Sequence, residues 1–231
     1  EYLDIHGGGV DNIFPHHTNE IAQSESYLGH PWCKYWFHNE HLLDETGKMS
    51  KSNGAILTVT VLKEKGYDPL AFRFMCLNSH YRKQLVFSYE ALDQAYATLK
   101  KLRNRISSIV EDGEEDKELI EKYRNKFVLE LSDDLNTANA LSVLYEVLKD
   151  DQLSGKSKLS LIREFDQVLS LDLIQEKKAV ANEAHILEQI EKRAEAKRNK
   201  DFALADSIRD ELLKEGIRLI DSREGTTYEL L

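Results

Sequence analysis

A chain of 231 residues with 41% hydrophobic content and three prolines has the length for two or three compact, helix-rich units and a sizeable core. Its formal charge of −10 and pI near 5.3 argue against a broad, nonspecific grip on nucleic acid or an anionic membrane, so any nucleic-acid contact must come from local basic patches. Cys33 and Cys76 form no disulfide or metal spacing pattern, and no apolar run reaches membrane-spanning length, so a reduced, cytoplasmic protein without membrane contact is expected.

The opening Tyr2-Leu3-Asp4-Ile5-His6 reads as a strand already running into a glycine turn, Gly7-Gly8-Gly9. With neither an initiator methionine nor a signal-like start, the sequence is expected to be a fragment of something longer. Pro15 is placed to open a helix through Ile21 and Ala22 toward Leu28, where Gly29 stops it. Strand composition follows over residues 35–43, then a lysine- and serine-rich loop over 48–54, then helices over 59–65 and 69–78. Residues 1–80 therefore read as α/β.

From Ser88 the apolar positions Leu92, Ala95, Leu99, Leu102, Ile106 and Ile109 recur at helical spacing. An acidic break at 111–116 precedes helices near 117–131, 137–148 and 159–169, which makes residues 81–175 a helical bundle. Beyond a polar stretch at 175–182, a charged helix reaches Lys200. A helix over 202–214 follows, Gly216 ends it, and strands at 217–220 and 227–230 form a hairpin. Residues 176–231 are thus a small mixed module.

Several clusters carry chemistry. His16 and Glu20 stand four residues apart, on one face of a helix, and imidazole with carboxylate is an ordinary zinc pair; a surface His–Glu pair gives the same pattern. Gly7-Gly8-Gly9-Val10-Asp11 allows a ligand close to the backbone at Gly9, with Asp11 accepting from ribose hydroxyls, or is a plain turn. His6 lines a pocket or caps its strand, and His17, His38 and His41 read as structural histidines. In Lys48-Met49-Ser50-Lys51-Ser52 the lysines are mobile point charges that can follow a triphosphate, while the serine hydroxyls and loop amides add neutral donors.

The order and spacing of Gly7-Gly8-Gly9 with Asp11, Ile13-Phe14-Pro15-His16-His17-Thr18-Asn19-Glu20, Trp36-Phe37-His38-Asn39 and the Lys48–Ser52 loop closely resemble the class I cysteinyl-tRNA synthetases. The resemblance continues through Phe72-Arg73-Phe74, Asp133-Asp134-Leu135-Asn136-Thr137 and Asp201-Phe202-Ala203-Leu204-Ala205-Asp206 to Gly225-Thr226-Thr227. It implies the second half of a Rossmann-type catalytic domain, then a helical bundle, then a small module that reads the anticodon. It makes His16 and Glu20 two of four zinc ligands, the others being cysteines upstream of Glu1, with zinc selecting the thiolate of cysteine. Lys51 and Lys48 would stabilise the phosphates of magnesium-bound ATP as the carboxylate of cysteine attacks the α-phosphorus, and the terminal ribose of tRNA then takes the cysteinyl group. His6 and Asp11 would flank the adenylate. The implied partners are cysteine, ATP and the tRNA for cysteine, with a monomeric protein.

Three departures qualify the resemblance. The family's upstream histidine–glycine ATP signature is absent, so the chain alone is not expected to catalyse. Asn53 and Ala55-Ile56-Leu57 differ from the usual residues after the lysine loop, and neither Cys33 nor Cys76 falls at a ligand position. The candidate tRNA contacts are the basic stretches Lys100, Lys101, Arg103, Arg105 and Lys192, Arg193, Lys197, Arg198, Lys200. Two rival readings share the same residues: a ligase joining cysteine to an amino sugar, and a noncatalytic RNA-binding protein derived from a synthetase. The first has no use for an anticodon module.

Overall fold

The computed structural model describes residues 1–44, 47–48, 58–175, 183–199, 201–222 and 225–230, which fall into two compact units, Glu1–Gln175 and Glu176–Leu231. Met49, Ser50, Lys51, Ser52 and Lys200 lie outside the described residues.

The first unit opens with β1 (Leu3–Gly9) and β2 (Cys33–Asn39), paired in parallel so that His6 lies opposite Trp36 and Gly8 opposite His38. Parallel neighbours need a long crossover, and α1 (Thr18–Leu28) supplies it, closing on Gly29 in the left-handed conformation (φ 76°). Two local expectations change. The three glycines continue β1 instead of turning the chain. The helix begins at Thr18, three residues after Pro15, because the residue before a proline is pushed out of helical space: Phe14 is extended (φ −134°, ψ 132°), and an irregular turn spans Ile13–His17.

The strand expected over 35–43 is two strands. β2 ends at Asn39, the Glu40 N–H turns to the Tyr81 carbonyl at 2.9 Å, and β3 (Leu42–Asp44) starts a separate sheet. There β3 lies between β4 (Gly47–Lys48), antiparallel to it, and β5 (Leu85–Val86), parallel to it.

The helices that follow are α2 (Val59–Glu64), α3 (Pro69–Leu77), α4 (Tyr89–Ser107), α5 (Lys117–Ser132), α6 (Thr137–Lys149) and α7 (Gly155–Leu169). Their starts were written into the chain: Thr58, Asp68, Ser88, Asp116, Asn136 and Ser154 each accept a backbone N–H in the first turn, contributing about 1 kcal/mol apiece. One apolar cluster runs from Leu62, Phe74 and Met75 through Leu92 and Leu99 to Leu144, Phe165 and Leu171. The α2–α3 segment and the bundle therefore share a core.

The second unit packs α8 (Glu183–Arg198) and α9 (Phe202–Lys214) on the antiparallel hairpin of β6 (Ile217–Ser222) and β7 (Gly225–Leu230), around Ile186, Ile208, Leu212 and Ile217. Arg193 is 6% exposed and makes a bidentate pair with Asp221, which Lys197 and Thr226 also contact. No helix among the described residues is long and apolar enough to cross a membrane.

Two of the proposed phosphate-contacting arginines are thereby taken up internally. Arg193 is buried on Asp221, and Arg103 is buried between Asp68 and the Leu171 carbonyl. Arg105 also turns inward, donating to the Leu148 carbonyl at 2.9 Å. A helical row of basic residues does not say which of them faces the core.

Candidate nucleotide and metal site

The β1–β2 register places His6 and Gly8 two residues apart on one strand, with Trp36 and His38 opposite them on the other. Alternation puts such residues on one face. His17, at the end of the turn that leads into α1, packs over that face, its ring centroid 4.6 Å from His6, 5.1 Å from Trp36 and 4.9 Å from His38. Trp32 and Trp36 close the other side of His6 at 5.5 and 5.0 Å. Gly8 is what makes room, since its position runs directly against the His17 ring.

Among the described residues of 1–44, only His17 is buried. Its Nδ1 lies 2.8 Å from Nε2 of His38. Burial, followed by the neighbouring His17, His6 and Arg82, lowers the His38 pKa, so this imidazole favours its neutral form. In the first turn of α1, Glu20 reaches His6 with Oε2 2.7 Å from Nε2. The two atoms approach without an aligned N–H···O bond, because His6 Nε2 is buried and has no hydrogen-bond partner.

At the carboxyl ends of the two strands, Gly9 is followed by a short 3₁₀ turn (Val10–Asn12) that carries Asp11 back over the glycine. His41 approaches Asp11 with Nε2 3.7 Å from Oδ1. Strand carboxyl ends are where open α/β sheets bind ligands. A cleft of about 380 Å³ adjoins this end, with Asn39, His41, Cys76, Tyr81 and Lys83 in its wall. Phe37 and Tyr81 stack there at 4.3 Å, and Tyr81 donates its hydroxyl to Asp134 at 2.6 Å.

Of the residues singled out from the sequence, the fold gathers His6 and Glu20 in one cluster and Gly9 and Asp11 at one strand end. His16 is exposed on the Ile13–His17 turn and takes no part in the three-residue grouping of His6, His17 and Glu20. Lys48 sits in β4 opposite Leu43, while Met49, Ser50, Lys51 and Ser52 fall outside the described residues. The residues that sequence reading passed over are His17 and His38. Strand alternation was the available signal: once the glycines continue β1, His6 and Gly8 share a face, and the only side chain able to press on Gly8 is one arriving from the turn.

Residues 1–97 match the family described as tRNA synthetases class I (C) catalytic domain, and residues 126–192 match the DALR domain. The chain is 38% identical to a cysteine–tRNA ligase of Treponema denticola over 100% of this chain and 53% of that protein. It is 40% identical to one of Clostridioides difficile over 99% and 53%, and 41% identical to one of Borreliella burgdorferi over 97% and 51%. The chain thus spans about half the length of the curated relatives it matches. A solved structure, the ternary complex of Agrobacterium radiobacter K84 agnB2 LeuRS, tRNA and LeuAMS, shares the fold with a TM-score of 0.52 at 18% identity, covering 73% of this chain and 26% of that one. Residues 1–97 are thus similar to the class I (C) synthetase catalytic domain and residues 126–192 to the DALR domain, in a chain similar throughout to about half of a cysteine–tRNA ligase.

Proposed function

We propose that this chain forms part of an ATP-dependent ligase that joins cysteine to its tRNA through a cysteinyl-adenylate. The observation that carries the reading is the 38–41% identity to cysteine–tRNA ligases along 97–100% of the chain. The grouping of Gly9, Asp11 and His41 at the carboxyl ends of parallel strands supports a nucleotide there.

In this reading residues 1–80 are the later part of a Rossmann-type catalytic domain, 81–175 its helical bundle and 176–231 the anticodon-reading module of a cytoplasmic monomer. The Gly9 backbone and Asp11 hold the adenosine, and His6 lines the amino-acid side. Lys51 and Lys48, with donors from Met49, Ser50 and Ser52, hold the phosphates of magnesium-bound ATP. As the carboxylate oxygen of cysteine attacks the α-phosphorus, the α–β bridging bond breaks and pyrophosphate leaves with its electron pair. The lysine charges act where negative charge grows. A ribose hydroxyl of the terminal adenosine then attacks the acyl carbon, loses its proton, and releases AMP. His16 and Glu20 would hold a zinc ion, as the resemblance implies, and the bound ion would favour a soft thiolate over a hydroxyl.

The test is ATP- and cysteine-dependent charging of tRNA by a polypeptide carrying this chain at the full length of its relatives, compared with its Lys51→Ala variant. The expected result is charging in the parent and a loss of about 10²-fold or more in the variant. Pyrophosphate exchange with transfer only to an amino sugar would replace the reading by the small-molecule ligase. RNA binding without exchange would replace it by a noncatalytic protein.

A further inference from the structure

β3 has three residues and its neighbours β4 and β5 two each, too short a ladder to fix its own position. That position matters because Leu43 of β3 pairs with Lys48, where the lysine loop begins. Leu42 seats the strand on the apolar cluster, and the segment after α3 sets its register. The Tyr81 carbonyl accepts the Glu40 N–H at 2.9 Å, the His41 carbonyl accepts the Leu85 N–H at 3.4 Å, and the Leu43 carbonyl accepts the Phe87 N–H at 2.7 Å. The Tyr81 ring also stacks on Phe37 of β2, with centroids 4.3 Å apart.

The outer end of that segment is tied to one distant carboxylate. Asp134, in the turn between α5 and α6, accepts the Tyr81 hydroxyl at 2.6 Å and Arg82 Nε and Nη2 at 2.5 and 3.3 Å, with His80 Nε2 at 3.8 Å. Three consecutive side chains converge on it. Asp134 and Leu135 hold φ values of 53° and 58°, a left-handed conformation that a Cβ disfavours, and such strain persists only where the surroundings impose it. Arg82 and then Tyr81 keep the Asp134 pKa below its ordinary value, while burial and then the bond to Asp134 raise that of Tyr81, so the pair stays carboxylate and hydroxyl at neutral pH. Arg82 and Asp134 are exposed, and an exposed ion pair adds little stability. Its effect is geometric.

We infer that Asp134 is a positioning residue: by holding Tyr81 it fixes the β2–β3 junction, and with it the β3–β4 pair that carries Lys48. The consequence for catalysis rests on the ligase reading, whereas the link itself does not. A misplacement of about 1 Å can cost about 10²-fold, and for a lysine acting where charge grows in the transition state the loss falls on kcat.

The experiment uses a polypeptide carrying this chain at the full length of its relatives, with hydrogen exchange read by mass spectrometry and ATP–pyrophosphate exchange read alongside. Asp134→Gly removes the carboxylate while suiting the left-handed backbone, and Tyr81→Phe removes the hydroxyl while keeping the ring stack. Each is expected to speed amide exchange over residues 40–44 by about 10-fold or more and to leave residues 3–9 within about 2-fold. Each should lower kcat by about 10- to 100-fold with KM for ATP within about 3-fold. The double variant should be no worse than either single one, because both break the same link. Asp134→Asn, which tolerates the conformation and keeps an oxygen for Tyr81, should retain kcat within about 3-fold. Unchanged hydrogen exchange over 40–44 in both single variants overturns the inference. So does a kcat loss that Asp134→Gly shows and Tyr81→Phe does not, or an unchanged kcat in both. If the parent performs no pyrophosphate exchange, the ligase reading falls, and hydrogen exchange alone decides whether Asp134 positions the strand.

Discussion

Gly8 and His17 approach as closely as a residue without a Cβ permits: an added carbon would sit 2.9 Å from Cε1 and 3.1 Å from Nε2 of His17, and 2.7 Å from Nδ2 of Asn12. Because His17 is buried, its ring cannot swing clear at little cost. Gly8→Ala is therefore expected to destabilise the β1–β2–α1 region by about 1–3 kcal/mol, the usual range for overpacking. It should also shift the His17 and His38 ring resonances. Gly7→Ala, whose nearest neighbour would be the Phe37 carbonyl at an ordinary 3.6 Å, should do neither. Urea unfolding and histidine NMR of the two variants check this, and equal effects would sink it.

That contact also shows where sequence reading succeeded and where it stopped. Local signals were enough for the helices: the apolar spacing from Leu92 to Ile109 and the acidic break at 111–116 place α4 and α5 within a residue or two of where they lie. The glycine run misled, because Gly7-Gly8-Gly9 permits both a turn and a strand, and only the approach of His17 from across the crossover decides for the strand. His38 and Glu40 failed for the same reason. Their partners, His17 for His38 and Tyr81 for Glu40, lie some 20 and 40 residues away, and no local pattern carries that information. At the candidate site, type and spacing singled out Glu20, Gly9 and Asp11, but that Glu20 lies beside His6 and that His17 covers the strands required knowing which face of two strands the turn would cross.

Ser170 ends α7 in the left-handed conformation (φ 50°, ψ 52°), with its N–H on the Asp166 carbonyl at 2.8 Å. An L-residue with a Cβ costs about 1–2 kcal/mol in that conformation, which glycine escapes at the expense of a more flexible unfolded chain. Its side chain is exposed, so little packing is lost. Ser170→Gly is expected to stabilise the first unit by about 0.5–1 kcal/mol, or roughly 2–4 °C in Tm. A lower melting temperature in calorimetry would contradict the assignment of strain.

Asp221 gathers Arg193, Thr226 and Lys197 around one carboxylate. In that order they hold its pKa far below the ordinary carboxylate value, and burial opposes them only weakly. A depressed folded-state pKa stabilises fully above the unfolded value of about 4 and loses that contribution as pH falls below it. The second unit should therefore weaken on acidification below about pH 4, and Asp221→Asn should flatten that dependence. The variant also strands Arg193, whose side chain is 7% exposed and whose Nε already lacks a partner. Because Asp221 itself is half exposed, the expected cost near neutral pH is roughly 2 kcal/mol, below the figure for a fully buried pair. Unfolding of the variant and parent between pH 2 and about 7 decides it; parallel curves would mean the network contributes nothing that titrates.

Arg103 makes the corresponding link in the first unit. It donates to Asp68, the N-cap of α3, at 2.6 Å, and through Nε and Nη2 to the Leu171 carbonyl at 3.2 and 2.6 Å, joining α3, α4 and the chain beyond α7. Its side chain is 10% exposed. Removing the guanidinium leaves a carboxylate and a carbonyl without their donor in a largely dry setting, so Arg103→Ala should cost about 3 kcal/mol. Lys100→Ala and Lys101→Ala, three and two residues earlier on exposed positions of the same helix, should change stability by less than about 0.5 kcal/mol. If Arg103 instead served mainly to touch RNA phosphate, its loss would spare stability and reduce the salt dependence of RNA binding by about one unit of slope. Denaturation and salt-dependent binding measured on the same variant therefore separate an internal clamp from a surface contact, and the buried geometry predicts the clamp.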